Sequence, residues 1–332
     1  CITSMGITTN DPDVIRLYQH LSSEQTSLFN KILQRLGFLP DRKPTVRNFV
    51  FVRDDADHLL PFSPNNGDDY FKMAGVKFWY DGSPYTGSMY LNEPFKSSTV
   101  NQEKIHVPAG HSGKALWNND EIANRIKRYD SAGWQVAIHT QGDRAISETL
   151  DAFEKSGIPK NSRHRLEHCL LPSKKDIQRM SKLGVSPSFH INHLWYYGEA
   201  LEDHIIGRER TDKILPLKAA ENNSLIFSLH ADQPMFESNP LSLLHTAVNR
   251  KTRAGKIIGK SNKITVEQGL KSLTINAAWQ IKMENKIGSI KPGKYADFVI
   301  IDQNPMMVDH DKIKDIHVLQ TIVNGNIIYK KD

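Results

Sequence analysis

Apolar residues along this chain fall into two alternating rhythms. One is a short, nearly continuous run between turn residues: GITTN from Gly6, RNFVFVR from Arg47, GVKFWYD from Gly75, WQVAIHT from Trp134, RHRLEHC from Arg163, GVSPSFH from Gly184 and SLIFSLHAD from Ser224. Runs of this length and composition read as buried strands. The other rhythm returns every three or four residues. Ile122, Ile126 and Tyr129 share a face in NDEIANRIKRYDSAG, and Ile146, Leu150 and Phe153 do so in DRAISETLDAFEKSG, with Asp143 as its candidate cap and Gly157 as its stop. PSKKDIQRMSKLG ends in the same way at Gly184. These are helix signatures. Strand and helix in turn imply βαβ units and a parallel sheet. Seven strands fit an open doubly wound sheet or an eight-stranded barrel missing its first strand. No G-x-G-x-x-G follows any of them, which weakens the nucleotide-binding version of the open sheet.

Two connections are long, DDADHLLPFSPNNGDDY and NEPFKSSTVNQEKIHVPAGHSGKALWNND. Loops of that length in a compact domain tend to be lids or binding segments. Beyond the helix that begins near Thr265 the pattern changes: GSIKPGKYADFVIIDQNP carries a strand at Phe298–Asp302, and VLQTIVNGNIIYK reads as a hairpin turning at Asn324–Gly325. A few strands with one apolar face are marginal alone, so this tail needs partners elsewhere in the chain.

Composition narrows the class. In 332 residues, Lys plus Arg (43) exceed Asp plus Glu (37) by six, but no basic block of five or six occurs, so nucleic-acid binding gains no support. The two cysteines, Cys1 and Cys169, make neither a disulfide framework nor a cysteine zinc site, which favours a reducing, cytoplasmic compartment. No apolar run is long enough to span a bilayer, and no signal peptide opens the sequence. The expected partner is a small-molecule substrate, and a homo-oligomer is compatible with the pattern.

Chemistry-bearing residues gather at strand ends. Lys77, His139, His168 and Asp232 each stand in the C-terminal half of a different expected strand, the rim on which parallel α/β folds build active sites. Singly, each has a bland reading: a structural histidine, a lysine that snorkels or pairs with a carboxylate, an aspartate that caps a turn. Four converging together are harder to set aside. Two imidazoles and a carboxylate suit a zinc-like ion. The lysine fits such a set if its amine is desolvated, neutral and reacted with CO₂ to give a carbamate.

GVKFWYDGS, QVAIHTQGDRAISETLDAFE, RHRLEHCLLPSKKDIQRMSKLGVSPSFHINH, SLHADQP and GSIKPGKYADFVIID, in this order, resemble blocks of the amidohydrolase superfamily, in its YtcJ-like branch that includes N-substituted formamide deformylases. The resemblance implies a (β/α)8 TIM-type barrel, here lacking its first strand, plus part of a small C-terminal β-sandwich, with residues 1–283 as barrel strands two to eight and 284–332 as the sandwich part. It implies Lys77 as the carboxylated lysine, His139 and His168 as metal-binding histidines, and Asp232 as a metal ligand and proton acceptor. The cofactor implied is a divalent metal, zinc first, as one or two ions in the intact protein.

One departure is large. The family holds its more buried ion with an H-x-H pair on the first strand, and no H-x-H occurs in this sequence. His190 and His193 form H-x-x-H on another strand and do not replace it. The chain therefore reads as a copy without its N-terminal segment, with Lys77, His139, His168 and Asp232 holding at most one ion, weakly. The expected activity is hydrolysis of a C–N bond in an amide, formamide or cyclic amide, with Asp232 as base and His193 steadying the oxyanion or touching substrate, unless it is an exposed loop histidine. Asp81, Asp143, Arg144 and Glu167 are expected to orient ligands, and His230 to approach the site. The alternative is a non-catalytic relative that binds or regulates.

Overall fold

The structure is a computed structural model and describes residues 4–22, 36, 46–64 and 67–332. Cys1 and residues 65 and 66 of the first long loop lie outside them. Seven strands, β1 (Ser4–Thr9), β2 (Arg47–Arg53), β3 (Phe71–Trp79), β4 (Gln135–Thr140), β5 (Arg165–His168), β6 (Ser186–His190) and β7 (Ser228–His230), form one sheet in chain order. Every neighbouring pair is parallel. Helices Pro12–Ser22, Asn119–Ser131, Asp143–Ser156 and Lys174–Leu183 follow β1, β3, β4 and β5, while β2 and β3 are joined through the short 3-10 segment Asp54–Leu59. This is the expected α/β architecture, a curled TIM-type sheet one strand short of eight, with β1 and β7 as its edges among the described residues.

β2 and the outward face of β4 are apolar because they are covered, whereas β5, β6 and β7 turn polar residues inward. Val136 and Ile138 of β4 point outward into a core shared with Ile122, Ile126, Ile146, Leu150 and Phe153, all fully buried. Two of these helices stop at the glycines expected from the sequence: Gly157 and Gly184 take left-handed φ values of 63° and 69°. Asp143 is a different matter. Gly142 is the N-cap of helix Asp143–Ser156, and the Asp143 carboxylate accepts from Asn92 N and Nδ2 at 3.0 Å each, tying down the second long loop.

A second sheet, β8 (Phe298–Ile301), β9 (Val318–Val323) and β10 (Asn326–Lys330), is antiparallel in the order β10-β9-β8. Its hairpin turns at Asn324 and Gly325, both at positive φ (48° and 77°), as a tight turn of the primed kind requires. Arg47, at the start of β2, joins the two sheets. Its buried guanidinium donates two 3.0 Å bonds to Asp297 and a third to the Asp69 carbonyl, and lies 4.1 Å and 4.2 Å from the ring centres of Tyr70 and Tyr295.

Candidate metal centre

Register stacks polar groups in layers inside the curled sheet. Lys77 of β3 lies opposite Ala137, and two residues further on Trp79, His139, Glu167, Ser188 and Ser228 face one another in turn across β3 to β7. Two residues beyond Ser188 and Ser228, His190 pairs with His230. Side chains alternate along a strand, so residues two apart share this inner face. His168 is out of phase with it, opposite Thr140 and Phe189. Its φ of 71° ends the alternation, and the ring lies 4.4 Å from that of His139 and 5.0 Å from that of His230, centre to centre.

His168, His190 and His230 each offer a ring nitrogen, all within 4.8 Å of one another. Of the four ligands expected from the sequence, His168 belongs to this triad and the other three surround it. His139 is buried, with Nε2 3.3 Å from the Gly82 carbonyl and 3.9 Å from Asp81. Lys77 is buried one layer below, its Nζ 5.3 Å from the Trp79 ring and in no salt bridge among the described residues. Asp232 stands past the end of β7 in a left-handed conformation (φ 60°), its side chain 39% exposed and 3.7 Å from His190 Nδ1.

Burial dominates the electrostatics. It pushes His139 down to about 3, helped by Lys77, and His193 down to about 3, helped by His230. It holds His168 and His190 well below the ordinary range. All four are therefore neutral imidazoles, the form that ligates a metal. Burial also lowers the Lys77 amine, against Glu167 and Asp232, which raise it. Glu167, although buried, keeps a lowered pKa through Arg165, whose Nε donates to it at 2.8 Å, and through Lys77. Burial raises Asp81 to about 7 in spite of the backbone N–H groups of Tyr90, Gly142 and Gln141, each 3.0 Å from its carboxylate. That carboxylate pins the turn after His139, where a side chain at Gly142 would run into the Tyr90 carbonyl.

Among the described residues, three nitrogens in this cluster lack a hydrogen-bond partner: both of His190 and Nε2 of His193, on rings 4.2 Å apart. Buried polar atoms are rarely left unpaired. Neutral imidazoles with free nitrogens, backed by carboxylates, form a donor set that fits a divalent ion. His193 is buried in the first turn of helix Asn192–Ala200, not exposed on a loop, and its Nδ1 is 2.6 Å from the Tyr85 hydroxyl. Arg144 pairs with Glu148 on the outer side of the sheet, and the second long loop is strapped over the strand ends by Arg210, which donates to the Glu93 and Pro94 carbonyls. His190 is the residue the sequence reading passed over, although it ends a strand just as His168 does.

A model of the amidohydrolase family matches residues 2–329. The chain belongs to the amidohydrolase family. This amidohydrolase is 27% identical over 299 residues to an N-substituted formamide deformylase of Arthrobacter pascens, covering 85% of this chain and 55% of that protein. It is 29% identical over 335 residues to the protein LONG AFTER FAR-RED 3 of Arabidopsis thaliana, covering 98% and 55%. The chain thus spans about half the length of these relatives. Its fold resembles that of an uncharacterized metal-dependent hydrolase from Pyrococcus horikoshii, with a TM-score of 0.68, 24% identity, and coverage of 90% of this chain and 60% of that one. Among the described residues, no helix is long and apolar enough to cross a membrane.

Proposed function

We propose that this chain is part of a metal-dependent hydrolase that cleaves C–N bonds in an amide, formamide or cyclic amide, with zinc as the ion. The observation that carries the proposal is the triad of His168, His190 and His230, in which His168 and His190 are buried and neutral and both nitrogens of His190 are unpartnered among the described residues. Family membership and the likeness to an enzyme named for formamides support the same chemistry.

His168, His190 and His230 would hold the ion, with Asp232 3.7 Å from His190 and the His139 ring 4.4 Å from that of His168 beside them, and Lys77 one layer below. Such an ion supplies an acidified water and an electrophile for a carbonyl oxygen. The chain's own groups do the rest. Asp232, on the accessible side of the cluster, accepts a proton as water adds to the carbonyl carbon and returns it to nitrogen as the C–N bond breaks, leaving an acid and an amine. His193, whose Nδ1 would accept from the Tyr85 hydroxyl at 2.6 Å, would then carry its proton on the unpartnered Nε2 and could donate it to the carbonyl oxygen. Lys77, desolvated and biased toward the neutral amine, can add to CO₂, losing a proton and gaining a carboxylate for the ion. The buried free thiol of Cys169 accords with a reducing, cytoplasmic compartment.

The test is a panel of N-formyl, N-acyl and cyclic amides, with zinc supplied and amine release followed. Release from at least one, abolished by Asp232→Asn, supports the proposal. No release from any of them favours a non-catalytic relative.

A further inference from the structure

His190 and His193 stand three residues apart with their rings in contact, yet their nitrogens are used differently. Neither nitrogen of His190 has a partner among the described residues. His193 Nδ1 has one, the Tyr85 hydroxyl at 2.6 Å, while its Nε2 has none. Length, acidity and proton count give this contact the same direction. Hydroxyl donors make bonds of about 2.5–3.0 Å to oxygen and N–H donors bonds of about 2.7–3.2 Å, so the short contact fits the hydroxyl as donor. The phenol is the more acidic group and the imidazole nitrogen the stronger acceptor. Were Nδ1 to donate instead, the Tyr85 proton would have no acceptor among the described residues. A neutral imidazole carries one proton, which then sits on Nε2.

We propose that Tyr85 is a positioning residue that makes His193 a hydrogen-bond donor at the edge of the metal centre and keeps it from being a ligand. The proposal rests on the metal-dependent reading above. A ring nitrogen that bears a proton has no lone pair for an ion, so the two histidines of H-x-x-H divide the work: His190 ligates and His193 donates. Tyr85 is itself held in place. Its ring lies 4.2 Å from that of Tyr197 and 5.5 Å from that of His193, centre to centre. It sits in the single turn Pro84–Thr86, where Ser83 Oγ accepts from Tyr85 N at 3.2 Å and Gly87 closes the turn at a φ of 68°. The second long loop clamps that turn: His111 Nε2 donates to the Gly87 carbonyl at 3.0 Å, and a side chain at Gly87 would run into Val107. The loop thereby acts on the site through Tyr85.

Two measurements test it. In the metal-free chain labelled with ¹⁵N-histidine, a two-bond ¹H–¹⁵N correlation spectrum, with His193 assigned by its loss in His193→Gln, reads the tautomer directly. The expected result is a proton on Nε2 of His193 in wild type and a mixture of tautomers in Tyr85→Phe. A proton on Nδ1 in wild type, or a tautomer unchanged in Tyr85→Phe, overturns the proposal. Should Tyr85→Phe fail to fold, the Tyr85 hydroxyl proton of the wild type is sought by its nuclear Overhauser effect to the His193 ring, and its absence overturns the contact. Titration with Zn²⁺ alone should give His193→Gln the affinity of wild type. A loss of affinity in that variant makes His193 a ligand and overturns the donor role. A wild-type chain that binds no Zn²⁺ overturns the metal-dependent reading instead, and the tautomer measurement still judges Tyr85.

Discussion

His164 shows what burial does to an imidazole whose two nitrogens are both engaged. Val136 N–H donates to Nδ1 at 3.0 Å, and Nε2–H donates to Asp130 at 3.2 Å, so the folded state needs the neutral ring. Burial pushes its pKa down to about 4. The unfolded chain, with the ordinary value near 6.5, then binds more protons between those limits, and stability present above pH 6.5 is lost as pH falls toward 4. We predict that His164 alone removes about 2 kcal/mol of unfolding free energy between pH 7 and pH 5. Urea titrations at the two pH values, on wild type and His164→Gln, measure this as a flatter dependence in the variant. At this scale the sequence was partly legible. Lys77, His139, His168 and Asp232 were named because polar groups at strand ends are conspicuous; of the four, His168 falls in the histidine triad and the other three lie outside it. His190 was passed over because H-x-x-H looks like a single unit. In the structure the chain turns from strand to helix between the two, so His190 closes β6 and His193 opens the next helix. The hydrogen bonds of Gln280 to Ser186 and Ser228 were illegible, since nothing local connects Gln280 to residues more than 50 positions earlier.

Elements were read more fully than single contacts. RNFVFVR is the observed β2 without a residue gained or lost, because a strand covered on both faces keeps its apolar run to the end. The last strand of the sheet was overdrawn: of SLIFSLHAD, Ser228–His230 forms ladder bonds, while Ser224 and Asp232 take left-handed φ values of 51° and 60° that no strand accommodates. Asp232 therefore sits on an accessible turn beside the histidines, where a proton carrier is more useful than at a sealed strand end. The joint between the sheets could not be foreseen, because Arg47 and Asp297 are 250 positions apart. Removing one partner of a buried pair leaves the other charged and unmatched, at a cost of about 3–5 kcal/mol. Arg47→Ala should lower the unfolding free energy by that amount, and a loss below about 1 kcal/mol in urea denaturation would show that the joint is dispensable.

For the whole molecule, the alternation of strand and helix led to the right architecture because a parallel sheet leaves few other ways to cover both faces. The curl of that sheet turns one face of five strands inward and gathers buried, neutral imidazoles from β4, β5 and β6 beside the half-buried His230 of β7. Neutral rings with free nitrogens have little reason to collect in a dry interior unless a cation binds them. The most direct test strips the chain with a chelator and titrates it with Zn²⁺, beside a His168→Ala/His190→Ala double variant of matched thermal stability. The account predicts one Zn²⁺ per wild-type chain, a rise in thermal midpoint with Zn²⁺ concentration, and loss of both in the variant. Zn²⁺ binding that is unchanged in the variant, two tightly held ions, or none at all in wild type would contradict it.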